Sequence, residues 1–344
     1  VPSLSQRISA SLARASRWHL GEAVVWIAAL AALLFWPTRH LLLNEIAIIA
    51  LFAISLDLIL GYAGIVSLGH AAFLGIGAYT AGLLAKHIIG DPLIGLAASI
   101  LAAAVAGFLT SFLVLRGSDL TRLMVTLGVA LVFGEVANQA AWLTGGADGL
   151  QGIVIGPLVG RFEFDLFGTT AFAYSLAILF IGFLIARRIV HSPFGLSLRA
   201  IRDNPLRAAA LGIPANARLV AIYTVAAAYA GAAGALLAQT NQFVSLDVFD
   251  FHRSADVLLV LVIGGTGYLY GGIIGAVLFK VLQDVLAGIT PEYWHFWIGL
   301  ILVLLVLVGR ERLQRGIAGV VASLIPGRTG RPRATAVDAG EARP

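Results

Sequence analysis

The sequence predicts an all-α, polytopic membrane protein of about ten hydrophobic segments, some of them broken or half-length, with both termini on the cytoplasmic side. Three observations carry that prediction. Hydrophobic residues make up 59% of the 344 positions even before the 39 glycines are counted, and charged residues only 12%, about half the usual share of a soluble domain. Apolar runs recur at lengths near the roughly 20 residues that a helix needs to cross a bilayer. Basic residues gather in alternate connections, as they do in loops that face the cytoplasm. This composition excludes a soluble enzyme, a nucleic-acid-binding module and a disordered chain. With no cysteine in the sequence, a disulfide framework, a thiolate metal site and a c-type haem attachment are excluded as well.

Residues 1–21 carry serines with Arg7, Arg14 and Arg17. No small-residue cleavage pattern separates them from the first apolar run, so they read as a cytoplasmic N-terminal arm. Apolar segments follow near 22–36, 43–60, 70–86, 93–115, 122–143, 169–187, 217–240, 255–264, 270–288 and 294–309, which makes 22–309 the transmembrane domain. The first is short and reads as tilted or peripheral. The eighth, Ala255 to Gly264, is about half of what a crossing needs. Where it breaks, its backbone must be shielded by protein or line an aqueous cavity, because bare polar groups are not tolerated in lipid.

An even number of segments puts both termini on one side. With that side inside, the inner segments hold Arg7, Arg14, Arg17, Arg116, Arg122, Arg187, Arg188, Arg199, Arg202, Arg207, Arg218, Arg310, Arg312, Arg315, Arg328, Arg331, Arg333 and Arg343, which is 18 of the 23 Lys and Arg. The outer segments hold Arg39, Lys86, Arg161 and Arg253, and Lys280 lies within a span. The net charge of +5 therefore reads as orientation, N-in and C-in, and gives no reason to invoke a nucleic acid. In the cytoplasmic tail, 310–344, Leu313, Ile317, Val320, Val321, Leu324 and Ile325 recur at helical spacing beside three arginines, the pattern of an interfacial helix. From Pro326 onward the composition reads as disordered.

Two glycine clusters interrupt apolar runs. Gly61-Tyr-Ala-Gly64 continues to Ser67 and His70, and Gly264-Gly-Thr-Gly267 continues to Gly271 and Gly272. Gly-broken helices in two halves of a chain point to a transport path, because half-helix ends present unpaired N–H and C=O groups. On that reading Gly61, Tyr62, Gly64, Ser67, His70, Gly264, Gly265, Thr266 and Gly267 line the path. The alternative is that the glycines only let helices approach closely, which is the reading given to Gly231, Gly234, Gly271 and Gly275. Neither cluster matches a nucleotide-binding pattern.

The connection at 188–218 is the longest on the inner side. Within it Asn204 can cap a helix, Pro205 suits its first position, Gly212 suits its stop and Pro214 forbids continuation. A seven-residue helix is marginal alone, so it must dock, through a face of Leu206, Ala209, Ala210 and Ile213, on its own bundle or on a partner. Among ionisable groups within spans, Lys280 and Asp284 are four apart and are expected to neutralise each other. Asp57 and Asp256 lie near span ends and read as interfacial. The seven histidines show no metal-ligand spacing, and nothing resembles catalytic machinery.

Together these segments resemble the permease subunits of ABC importers for branched-chain amino acids. The run from Ser55 through Gly61-Tyr-Ala-Gly64 and Ser67-Leu-Gly-His70 to Tyr79 matches the family signature. Leu143-Thr-Gly-Gly-Ala-Asp-Gly-Leu150 follows, then Ser192-Pro-Phe-Gly195 leading to Arg202-Asp-Asn-Pro205 and Ala210-Leu-Gly-Ile213, then Val262-Ile-Gly-Gly-Thr-Gly267. The second and third motifs favour the LivM type over the LivH type. Arg116-Gly-Ser-Asp-Leu-Thr-Arg122 departs from the family pattern, as does Val308-Gly-Arg-Glu-Arg-Leu313 after the last span.

The resemblance implies a non-enzymatic transport subunit of a bacterial inner membrane that binds no cofactor itself. Its partners would be a second permease of the LivH type, two cytoplasmic ATPases carrying ATP and Mg, and a periplasmic or lipoprotein substrate-binding protein. The inner connection would be the coupling loop that seats in the ATPase, through Arg199, Arg202, Asp203, Asn204, Pro205, Leu206, Ala209, Ala210 and Gly212. The substrate's carboxylate would meet a half-helix N-terminus at one of the two breaks. Two alternatives stand beside this reading: the same scaffold importing urea, short amides or another small solute, and an ion-coupled secondary transporter.

Overall fold

Each of the first nine apolar segments falls on a helix. They are α1 (Leu20–Phe35), α2 (His40–Leu60), α3 (Ala71–His87), α4 (Pro92–Val114), α5 (Asp119–Gln139), α6 (Thr169–Val190), α9 (Ala215–Asn241), α10 (Phe251–Gly264) and α11 (Leu269–Ile289). The connection after α6 holds α7 (Pro193–Asp203) and α8 (Pro205–Ala210). The computed structural model describes residues 20–303 apart from 166, 294, 295 and 302. Almost all of the predicted arm and the whole tail with its interfacial helix lie outside the described residues. Among those described there is no strand; Leu150 and Val244 form an isolated antiparallel bridge that ties the long connection after α5 to the end of α9.

Among the described residues six helices, α2, α4, α5, α6, α9 and α11, are long and apolar enough to cross a membrane. The sequence counted about ten segments. The tenth, 294–309, falls largely outside the described residues; for the other three the difference has a geometric source, since α1, α3 and α10 have 16, 17 and 14 residues. At 1.5 Å per residue they reach roughly 21 to 26 Å, short of a hydrocarbon core of about 30 Å. The half-length segment begins earlier than predicted, at Phe251, and still ends at the glycine break. The described residues up to Gly288 form one compact unit and those from Ile289 a second. In the second, the Tyr293 N–H closes a turn on the Thr290 carbonyl at 3.2 Å, and helical residues follow at 296–301.

Helix α9 is the centre of the first unit, packed on α4, α3 and α2, while α2 also packs on α6. Small residues make this possible. A Cβ on Gly231 would meet Ala103 and the Ser99 carbonyl of α4; one on Gly234 would meet the Leu74 carbonyl and the Ala78 amide of α3. The Ser99 hydroxyl donates to the Gly77 carbonyl at 2.8 Å, so α3 and α4 are joined where α9 touches both. Without a hydrophobic effect between helices in lipid, such close backbone approach is what dispersion forces act through. Helices α4, α5 and α11 leave most of their apolar surface uncovered. The short α1 leans on α6 through Trp26, whose ring lies 4.7 Å from Phe180 and 5.3 Å from Phe183.

Lys280 and Asp284 do not neutralise each other. Lys280 Nζ lies 2.6 Å from Glu45 of α2, and Asp284 lies 2.9 Å from Arg39 just before it. Both side chains on α11 face a neighbouring helix that offers opposite charges, and an inter-helix partner displaces the weak pairing available four residues along one helix. Lys280→Met is expected to cost about 1 kcal/mol, discounted for the half-exposed Glu45. In a double-mutant cycle with Glu45→Gln the second change should then cost almost nothing. Additive losses in a detergent unfolding titration would show that the two groups do not interact.

Candidate functional site

The two glycine breaks, about 200 residues apart in sequence, meet. Helix α2 ends at Gly61, and the chain turns at Gly64 with φ +73°; α10 ends at Gly264, and the chain turns at Gly265 (φ +103°) and Gly267 (φ +78°). Only glycine adopts those conformations without strain. The two turns are joined by Asp57, whose Oδ1 accepts the Gly267 N–H at 2.7 Å. Asp57 is fully buried, so its placement corrects the expectation of an interfacial carboxylate. It sits one helical turn before Gly61, which brings its carboxylate beside the break. A Cβ on Gly61 would collide with both the Asp57 carboxylate and the Gly267 amide.

The connection that holds α7 and α8 joins the same point. Ser192 caps α7, accepting the Gly195 N–H at 3.4 Å, with Pro193 at the first helical position. From α7, the Arg202 guanidinium donates to the Gly61 carbonyl through Nη1 and to Asp203 through Nε and Nη2 at 3.2 and 3.1 Å. Its aliphatic stem lies over Gly64, where a Cβ would come within 2.8 Å of Arg202 Cγ. One turn earlier the Arg199 guanidinium lies 5.2 Å from the centre of the Tyr62 ring, within cation–π range. Beside this junction lies a cavity of about 550 Å³. Tyr62, Thr266 and Gly267 line it from the breaks, Arg199 and Arg202 from α7, and Phe183, Arg187 and His191 from the end of α6.

Helix α8 follows α7 with Asn204 alone between them. Asn204 Oδ1 accepts the Arg207 N–H at 2.9 Å and Pro205 takes the first helical position. At the other end Gly212, with φ +79°, lets its own N–H reach the Ala209 carbonyl at 2.9 Å and the Ile213 N–H reach the Ala208 carbonyl at 3.1 Å. This is a Schellman stop. The helix has six residues where seven were expected, and α7 before it had not been foreseen, although Ser192-Pro193 is a start signal of the same kind as Asn204-Pro205. Most of the face expected to dock is not covered by the chain's own bundle. Ala208 faces inward, whereas Leu206 and Leu211 are 83% and 74% exposed, with Ala209 and Ala210 open beside them.

The family described as "Branched-chain amino acid transport system / permease component" matches residues 38–306. The chain belongs to this family. Among curated relatives, the high-affinity branched-chain amino acid transport system permease protein LivM of Escherichia coli strain K12 is 30% identical over 288 residues. Its namesake from Salmonella typhimurium strain LT2 is 32% identical over 289 residues. Each alignment covers 75% of this chain and 65% of the relative, so the chain spans less than two thirds of their length. No solved structure matches. The chain thus combines membership of a permease-component family with several helices able to cross a membrane, and both breaks, the cavity and α7–α8 lie inside the matched region.

The permease does not bring every predicted path residue to the junction. His70 is fully buried, hydrogen-bonded to the Ser55 hydroxyl, stacked on Phe52 at 5.5 Å and edge-on to Phe73 at 5.6 Å; it is a core histidine. Ser67 is likewise buried. Gly264, Gly271 and Gly275 hold α10 against α11, since a Cβ on any of them would meet backbone of the other helix or of the turn between them. The half-helix N-termini also have internal acceptors. The Ala71 N–H donates to the Ser254 hydroxyl at 2.9 Å, and the Gly267 N–H is taken by Asp57. Packing accounts for Gly69, Gly264, Gly271 and Gly275, while Gly61, Tyr62, Gly64, Thr266 and Gly267 gather at the junction and its cavity.

Proposed function

We propose that this permease is one membrane subunit of an ABC importer that carries branched-chain amino acids across a bacterial inner membrane into the cytoplasm. ATP and Mg would act on two partner ATPase subunits, and this chain would catalyse nothing itself. A second permease of the LivH type and a periplasmic or lipoprotein binding protein would complete the assembly. The observation that carries the reading is the physical connection between the exposed α8 and the two breaks. Leu206, Ala209, Ala210 and Leu211 offer a small apolar face to a partner, and Arg202 ties the same connection to the Gly61 carbonyl.

Force applied to α8 has a route inward. One residue separates α8 from α7, so the two move together. Arg202 and Arg199 load the end of α2 at Gly61 and Tyr62. Asp57 passes the displacement to Gly267, in the turn between α10 and α11. ATP-driven closure of the ATPase pair would draw the connection aside and tilt these helix ends as rigid bodies, in the manner of shear and hinge transitions. The reading is tested by uptake of labelled leucine, isoleucine and valine into vesicles carrying the full complex. ATP-dependent accumulation of these three is expected when loaded binding protein is present. Accumulation of urea or a short amide in their place would reassign the solute, and accumulation driven by an ion gradient without ATP would overturn the importer.

A further inference from the structure

The cavity beside the junction is chemically one-sided. Arg187, His191, Arg199 and Arg202 contribute to its wall and no Asp or Glu does; Asp203 is bonded to Arg202, and Asp57, behind the wall, accepts the Gly267 N–H. The Arg199 guanidinium lies 5.2 Å from the centre of the Tyr62 ring, and contact with this one side chain leaves some of its five N–H donors for an anion. We propose that this cavity binds a phosphate-bearing anion, supplied by the headgroup of an acidic phospholipid.

The solute of a branched-chain amino acid permease does not fit it. Such a solute carries an ammonium as well as a carboxylate, and this wall has no acid to receive one. A phosphodiester needs only cationic donors, and guanidinium groups match its oxygens in pairs. At about 550 Å³ the space is also far larger than inorganic phosphate fills. Its position favours a lipid source. Basic pockets between helix ends hold acidic headgroups, and Tyr268, exposed at the rim, is of the type that anchors at the membrane interface. The proposal requires only that the helices lie in a bilayer and stands whether or not the importer reading holds.

The test is binding of short-chain phosphatidylglycerol and phosphatidylcholine to the purified full-length chain in detergent, read by native mass spectrometry, with inorganic phosphate and glycerol 3-phosphate as soluble competitors. Phosphatidylglycerol is expected to bind at least about ten-fold more tightly than phosphatidylcholine, the worth of one charge-assisted contact. Arg199→Gln should remove that preference and Arg199→Lys should keep most of it, while both variants bind phosphatidylcholine as the parent does. His191→Gln provides a second reading on the wall formed by the end of α6 and should weaken phosphatidylglycerol alone. Equal binding of the two lipids, or an unchanged preference in both Arg199→Gln and His191→Gln, would overturn the proposal. Displacement by inorganic phosphate at matching affinity would overturn the lipid source. Release of the lipid on adding the ATPase subunits would assign the cavity to an acidic partner segment instead.

Discussion

Gly61→Ala is expected to cost about 3 to 5 kcal/mol, the range for stripping a buried charged group of its partner. The new methyl would occupy the place of the contact between Asp57 Oδ1 and the Gly267 N–H. Neither neighbour can yield cheaply. Asp57 is fixed on the same helix one turn earlier, and Gly267 is backbone in a turn whose glycines already have positive φ. Separating them leaves a carboxylate inside the bundle, where the other oxygen, Oδ2, has no hydrogen-bond partner to begin with. Gly128→Ala on α5 is the control, because nothing lies within 4 Å of its added Cβ. There alanine should be neutral or stabilise by up to about 1 kcal/mol through helix propensity. An unfolding titration in mixed micelles compares the two; equal stability of both variants would show that the junction contributes nothing.

Gly212→Pro should lower ATPase stimulation and uptake by more than ten-fold while leaving insertion in the membrane intact. Proline fixes φ near −65° and has no N–H. Gly212 needs φ +79° and donates to the Ala209 carbonyl, so the stop after α8 cannot form. Space is not the issue, since nothing lies within 4 Å of a Cβ there. That separates geometry from size: Gly212→Asn, which tolerates the left-handed conformation, should retain most of the activity. A Gly212→Pro complex that hydrolyses ATP and takes up leucine as the parent does would remove α8 from the coupling route.

What the sequence made legible was local. Asn204, Pro205 and Gly212 act on backbone within one turn of themselves, so the capped helix could be read without knowing its neighbours. The breaks at Gly61–Gly64 and Gly264–Gly267 were visible for the same reason, since a glycine cluster between apolar runs is a statement about φ and ψ. Partners across helices were not legible. Lys280 and Asp284 invited pairing by their spacing, yet their counter-charges, Glu45 and Arg39, lie about 235 and 245 positions away. Asp57 looked interfacial because burial depends on what covers a residue, here the turn at Gly267. Its one sequence clue was its offset of four from Gly61, which places a carboxylate beside a broken helix end. His70 failed in the opposite direction: a polar residue in a suggestive motif, bonded through Nε2 to Ser55 and enclosed by aromatic rings.

The bond between Asp57 and Gly267 also sets a schedule. Its two ends are 210 residues apart, and a ribosome adding about 5 to 20 residues per second completes the acceptor on the order of 10 to 40 s before the donor exists. For most of that interval α2 and α3 are already made while α10 is not, so the carboxylate must be kept hydrated or neutral until the second glycine cluster is made. The junction is therefore among the last contacts to close. A chain that stalls before the second glycine cluster would retain an unmatched acid within an apolar helix, a ready mark for quality-control proteases of the membrane.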